Sequence, residues 1–137
     1  MEAEEARRRF AAARVARLAT VAPDGMPHLV PVVHAVEGDR VHFVVDHKRK
    51  RTTRLRRLEN LRHDPRCALL VDHYDEDWSR LWWVRADGSA EIVDAPAADH
   101  PGLSLLVQRY RAYRESVPPG PLVVVTVRRW SGWLASP

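Results

Sequence analysis

Apolar residues recur along this chain with two different spacings. Short runs rich in β-branched and aromatic side chains mark strands at Val15–Val21, His28–Val36, Val41–Asp46, Cys67–Tyr74 and Leu122–Trp130. Leu81–Arg85 and Ser89–Val93 read as two halves of one longer strand, with Asp87-Gly88 as a bulge or tight turn between them. Turn residues punctuate the runs: Pro23-Asp24-Gly25 makes a hairpin of the first two strands, and Glu37-Gly38-Asp39 leads into the third. In the second strand Val30 and Val32 alternate with Leu29, Val33 and Ala35, so the pattern predicts that it is covered on both faces.

Helical spacing appears in three places. Residues 2–14 place Glu2, Glu4 and Glu5 before Arg7, Arg8 and Arg9, a sign order that suits the helix dipole. Leu55, Leu58 and Leu61 recur every three residues with arginines between them. The Thr52 or Thr53 hydroxyl can cap that helix, and Pro65 forces Asp64 out of helical geometry. A third helix is predicted over Ala97–Glu115, with Pro101 in its first turn and Leu105, Leu106, Tyr110 and Tyr113 on one face. Ser116 to Pro121 breaks it.

Six strands that are mostly consecutive, with few helices between them, argue against alternating β–α units. The prediction is a mainly β fold: a closed six-stranded antiparallel barrel with peripheral helices, forming one domain over residues 1–137. So small a barrel fills its interior with side chains. A sizeable ligand must then lie outside, in a surface groove or between subunits.

Composition narrows the class. The 137 residues are 45% apolar and 29% charged, as in soluble globular domains. No apolar run approaches the roughly 20 residues of a membrane span, and the acidic start is unlike a signal peptide. Cys67 is the only cysteine, which excludes an internal disulfide and fits a reducing cytoplasm. Its strand-like surroundings make it a packed apolar residue and not a nucleophile.

Charge changes the picture more. Residues 47–66 hold nine of the 22 Lys and Arg but two of the 18 Asp and Glu, so this segment carries +7 and the remaining chain −3. Lys48, Arg49, Lys50 and Arg51 arrive where a strand ends and a helix begins. A helix N-terminus adds unpaired N–H groups and about half a positive charge, so phosphate or carboxylate should collect there. Nucleic acid is the lesser reading, because no aromatics are interleaved with these arginines and the rest of the chain is acidic.

Other chemistries find little support. His28 and His34, on one strand, span about 20 Å and cannot share an ion. There is no His-Glu-x-x-His motif, no cysteine pair and no glycine-rich phosphate loop, so no metal site is expected. Asp75, Glu76 and Asp77 read as solvated loop charge. Trp82 and Trp83, adjacent in a strand, must face opposite sides, one to the core and the other to a groove or interface.

The order of elements resembles the split-barrel family of pyridoxamine 5′-phosphate oxidase-like flavoproteins, and within it the branch that uses the deazaflavin coenzyme F-420. The residues that carry the likeness are Arg17-Leu18-Ala19-Thr20-Val21 with Asp24-Gly25 and Pro27, and Val41–Asp46 followed by His47-Lys48-Arg49-Lys50. The segment Asn60–Arg66, Leu70-Val71-Asp72-His73-Tyr74, and Leu81–Arg85 with Gly88 complete it. The resemblance implies an FMN-binding type of split barrel, and a homodimer with a cofactor groove at the subunit interface. It implies hydride transfer to or from a small organic substrate, or a non-catalytic carrier of the same cofactor. It assigns phosphate contacts to Lys48 and Lys50, strand-end contacts to Asp46 and His47, helix-start contacts to Thr53, Arg54 and Arg57, and contacts along the ring system to Pro31 and Val32. FMN-using members usually place a basic residue on the second strand; here Val30-Pro31-Val32-Val33-His34 has no Lys or Arg. That departure, with the surplus of arginine over 49–57, favours the deazaflavin with its carboxylate-bearing tail and leaves FMN as the alternative.

Overall fold

The computed structural model describes residues 1–45 and 55–136. Its elements run α1 (Ala3–Ala12), β1 (Ala16–Val21), β2 (Pro27–Val32), β3 (Ala35–Glu37), β4 (Arg40–Val44), α2 (Arg56–His63), β5 (Arg66–His73), β6 (Trp82–Val93), α3 (Pro101–Arg109), α4 (Arg111–Glu115) and β7 (Leu122–Leu134). The strands form one seven-stranded antiparallel sheet in the order β2-β1-β5-β6-β7-β4-β3. The fold is mainly β with peripheral helices, but the sheet is open and has seven strands; the closed six-stranded barrel is not what forms.

The difference arises at Val33 and His34, where the second apolar run breaks. Its halves go to opposite edges of the sheet: β2 pairs with β1, and β3 with β4. The His34 backbone N–H donates to the Tyr110 hydroxyl (3.1 Å), and the His34 carbonyl accepts from that hydroxyl (2.9 Å). Both peptide groups are thereby satisfied by a side chain instead of a strand neighbour. Apolar periodicity reports burial and not ladder partners, so a buried interruption is invisible to it. His28 therefore lies on β2 while His34 lies beyond its end, and the two do not share a strand.

Tyr110 also interrupts the third predicted helix. Its backbone is extended (φ −117°, ψ 121°), so residues 97–115 give two short helices instead of one. The long strand β6 is continuous, with the expected bulge between Asp87 and Gly88. A Cβ on Gly88 would stand 2.3 Å from the Thr126 carbonyl oxygen, which explains glycine at this close approach. β7 extends past the predicted end at Trp130 to Leu134 and takes in Trp133.

Two apolar clusters hold these layers together. One gathers Phe10 of α1, Leu58 and Leu61 of α2, and the inner sheet residues Leu18, Phe43, Leu69, Val84 and Val125. The other packs Leu103, Leu106, Tyr110 and Tyr113 against Val44 and Leu122. β4 is consequently buried on both faces. β2 is not: Leu29 is 67% exposed and Pro31 is exposed, so the predicted double cover is absent within this chain. Cys67 is half-buried, and burial pushes its thiol up to about 12, as fits a packed residue.

Candidate functional site

The C-terminal ends of β2 and β4 and the start of α2 converge on one cavity of about 150 Å³. Pro31, Val32 and Val33 supply one wall, Val44 and Val45 a second, and Leu55, Arg57 and Tyr113 the remainder. β2 is an edge strand, where proline, lacking an N–H, is tolerated. Three sequence-assigned site residues, Pro31, Val32 and Arg57, are brought together here although 26 positions separate the outer two in the chain. Asp46, His47, Lys48, Lys50, Thr53 and Arg54 lie outside the described residues. The basic stretch that contains them joins Val45 to Leu55, two residues of the cavity wall. The described residues on either side of that stretch thus both line the cavity.

α2 begins later than the threonine-capped reading supposed. Leu55 is its N-cap, extended at φ −80° and ψ 142°, and offers no side-chain cap to the first turn. Leu58 and Glu59 donate their N–H groups to the Leu55 carbonyl at 3.1 Å. The first leucine of the three-residue period therefore marks the helix boundary. A first turn uncapped by its own N-cap side chain presents N–H donors toward an anion. Asp64 ends the helix as expected, extended before Pro65, and the Arg66 guanidinium and backbone N–H hold its carboxyl down at about 2.

Arg57 is the described cation of the site. It is half-buried, and desolvation by burial lowers its pKa, with the Tyr113 phenol acting in the opposite sense. It remains charged near neutrality, since a guanidinium starts so high. A partly desolvated cation attracts an anion more strongly than one in open water does. A volume of 150 Å³ takes a phosphate or a short chain segment, whereas sites that enclose whole drug-sized ligands span about 300–1,000 Å³.

A planar group larger than this must lie elsewhere, and the outer face of the sheet offers room. Strand alternation sends Leu29, Ala19, Leu70, Ala68, Trp83 and Trp133 to that face, where they line a recess of about 740 Å³. Trp83 and Trp133 are direct cross-strand partners. Trp82, one position away, packs against the core cluster as well as reaching the recess rim. The alternation of the tryptophan pair is thus as expected, and the groove-facing member is Trp83. Leu70 and Trp133 are exposed, at 38% and 46%. The sequence signal for this face was the apolar residues on both parities of β2 and β5. Pro31 of the first cavity is the register partner of Arg17, which borders the recess, so the two sites adjoin along β2 and β1. Among the described residues no cluster of three His, Cys, Asp or Glu is placed to hold a metal ion. No described helix is long and apolar enough to cross a membrane.

A family model described as pyridoxamine 5′-phosphate oxidase matches residues 3–134. No curated protein matches the chain. Among solved structures, the conserved hypothetical protein Rv2991 of Mycobacterium tuberculosis is 28% identical, with a TM-score of 0.76, covering 98% of this chain and 86% of that one. A protein of Mesorhizobium loti described as FAD-binding is 22% identical (TM-score 0.69; 96% and 94% covered). HutZ, the haem storage protein of Vibrio cholerae, is 13% identical (TM-score 0.70; 96% and 90% covered). The last two likenesses are of fold alone.

Proposed function

The chain belongs to the pyridoxamine 5′-phosphate oxidase family, and from that premise we propose that it binds a flavin-type cofactor and acts as an oxidoreductase on a small organic molecule. The finer reading is the deazaflavin coenzyme F-420, with FMN as the alternative. The observation that carries the proposal is the cavity walled by Pro31, Val32 and Arg57, whose lining also includes Val45 and Leu55, the residues that flank the basic segment in the sequence.

On this reading the chain's residues divide the work. Arg57, the first-turn N–H groups of α2, and Lys48 and Lys50 take the phosphate; Asp46, His47, Thr53 and Arg54 complete its surroundings. The Pro31–Val33 edge supports the ring system, which extends over the apolar outer face. When bound, the cofactor supplies the hydride chemistry, and the protein contributes orientation and exclusion of water. The outer recess has one wall in this chain, and an exposed apolar face of this kind suits a partner. A second copy, forming a homodimer with the groove at the interface, would complete the enclosure. The single cysteine supports a cytoplasmic setting for this role, which requires neither membrane nor nucleic acid.

A carrier without turnover is the second reading, favoured by one feature: apart from Arg57 and Tyr113, the described wall of the cavity is apolar. A thermal-shift panel of coenzyme F-420, FMN, FAD and haem tests the proposal, since a ligand specific to the folded state raises stability with concentration. A shift with F-420 or FMN is the expected result; none with either deazaflavin or flavin removes it. Turnover with a nitroaromatic or quinone acceptor separates enzyme from carrier.

A further inference from the structure

A second polar recess, of about 480 Å³, lies where α1 hands the chain to β1. It exists because β5 outruns its neighbour. β1 pairs with β5 only from Arg17 opposite Leu70 to Ala19 opposite Ala68, while β5 continues to His73 against β6. Beyond the end of β1 the gap is lined by Arg9, Arg14, Arg17, Asp72, His73 and Trp82.

The lining is cationic with one aromatic floor. Three arginines and a single carboxylate border it, and Asp72 Oδ1 is 3.6 Å from Arg17 Nη1. That is well beyond the roughly 2.7–2.9 Å of a charge-assisted hydrogen bond, so the Arg17 fork is not spent on it. Arg14 donates to the Arg109 carbonyl at 3.3 Å and lies over the Tyr110 ring, contacts that orient it without neutralising it. Arg9 is paired with Glu5 (3.2 Å) and sits 5.1 Å from the centre of the Trp82 ring. His73 stacks on Trp82 at an interplanar angle of 18°. Two under-neutralised guanidiniums beside a braced indole recognise a carboxylate attached to a flat ring: the forks match the carboxylate, and the aromatic surface matches the ring.

We propose that this recess binds a planar organic acid, with Arg14 and Arg17 taking its carboxylate and Trp82 with His73 taking its ring. The volume lies within the range of small-molecule sites. Arg17 borders the outer recess and is the register partner of Pro31, so a molecule seated here adjoins the face proposed for the cofactor. Its role as the acceptor rests on the cofactor reading; its binding does not.

The test uses 4-nitrobenzoate as probe and its neutral methyl ester as control, both titrated by calorimetry and by quenching of tryptophan fluorescence, with no cofactor added. The acid should bind at least tenfold more tightly than the ester, and raising the salt should weaken only the acid. Arg14→Gln with Arg17→Gln, both at exposed positions, should cost the acid at least tenfold and leave the ester unchanged. Equal affinity for acid and ester, or full affinity in the double variant, would overturn the proposal. The salt series on the unaltered chain keeps the test decisive should the variant fold poorly. Flavin binding is measured separately on the same samples. Acid binding without flavin binding removes the cofactor reading alone, and flavin binding without acid binding removes this one alone.

Discussion

Removing the Tyr110 hydroxyl should destabilise the fold far more than the loss of one oxygen suggests. The phenol is 9% exposed and serves three backbone groups: it accepts from the His34 N–H at 3.1 Å and lies 2.9 and 3.0 Å from the His34 and Arg14 carbonyls. With one proton it donates to those two carbonyls in turn. Tyr110→Phe keeps the ring, its packing on Tyr113 and the Arg14 contact, so cavity effects are small. What remains is a buried N–H stranded without a partner, costing about 1–3 kcal/mol, and a lost donor to two carbonyls worth about another 1 kcal/mol. The sum, about 2–4 kcal/mol, is a large fraction of the roughly 5–15 kcal/mol that keeps a domain folded. Urea denaturation followed by tryptophan fluorescence reads it as a lower midpoint at unchanged slope. A loss below about 0.5 kcal/mol would mean that His34 is satisfied otherwise, and that the split between β2 and β3 is not held by this side chain.

Further outcomes follow from the same geometry. His34 is fully buried; its Nε2 meets the Phe10 carbonyl at 3.0 Å, its Nδ1 has no partner among the described residues, and burial lowers its pKa from 6.5 to about 4. The folded state thus prefers the neutral ring, so this contribution is complete above pH 6.5 and is lost as pH falls toward 4. It amounts to about 3 kcal/mol in total. His34→Gln should flatten the urea midpoint over that window relative to the parent, and an unaltered pH slope contradicts the burial argument. Gly102→Ala should lower the melting temperature by several degrees. Its Cβ would stand 2.4 Å from Nδ1 of buried His42, and such overpacking costs about 1–3 kcal/mol, outweighing the gain in helix propensity. Leu70→Glu, at the exposed centre of the outer face, should leave stability within about 0.5 kcal/mol yet abolish any dimer seen by light scattering; a dimer that survives places the interface elsewhere.

Much of this architecture was legible in the residues, and what was not has identifiable causes. Strand positions and the β6 bulge followed from β-branched runs and from Asp87-Gly88, because those preferences are local. The break at His34 was not, because its cause is Tyr110, 76 positions away, whose hydroxyl satisfies the backbone that a strand neighbour would otherwise pair. The same tyrosine split the third helix, where Leu105, Leu106 and Tyr113 kept a helical period across the interruption. The N-cap is Leu55, which packs partly against the core, while Thr52 and Thr53 lie outside the described residues. For the site, charge alone singled out the junction of strand and basic segment, and Pro31, Val32 and Arg57 line a cavity beside it. The recess between α1 and β5 left no such trace. Arg9, Arg14 and Arg17 are ordinary surface arginines until the sheet register sets them beside Asp72 and Trp82.

The central claim is that the basic segment after β4, together with Arg57, grips the anionic end of a flavin-type cofactor. Its most direct test is the affinity for coenzyme F-420 and FMN of a chain carrying Lys48→Gln, Lys50→Gln and Arg57→Gln. Each charged contact removed is worth about 1.5–3 kcal/mol, so the account predicts at least about a hundredfold loss of affinity. Unchanged affinity in a chain that still folds would contradict it.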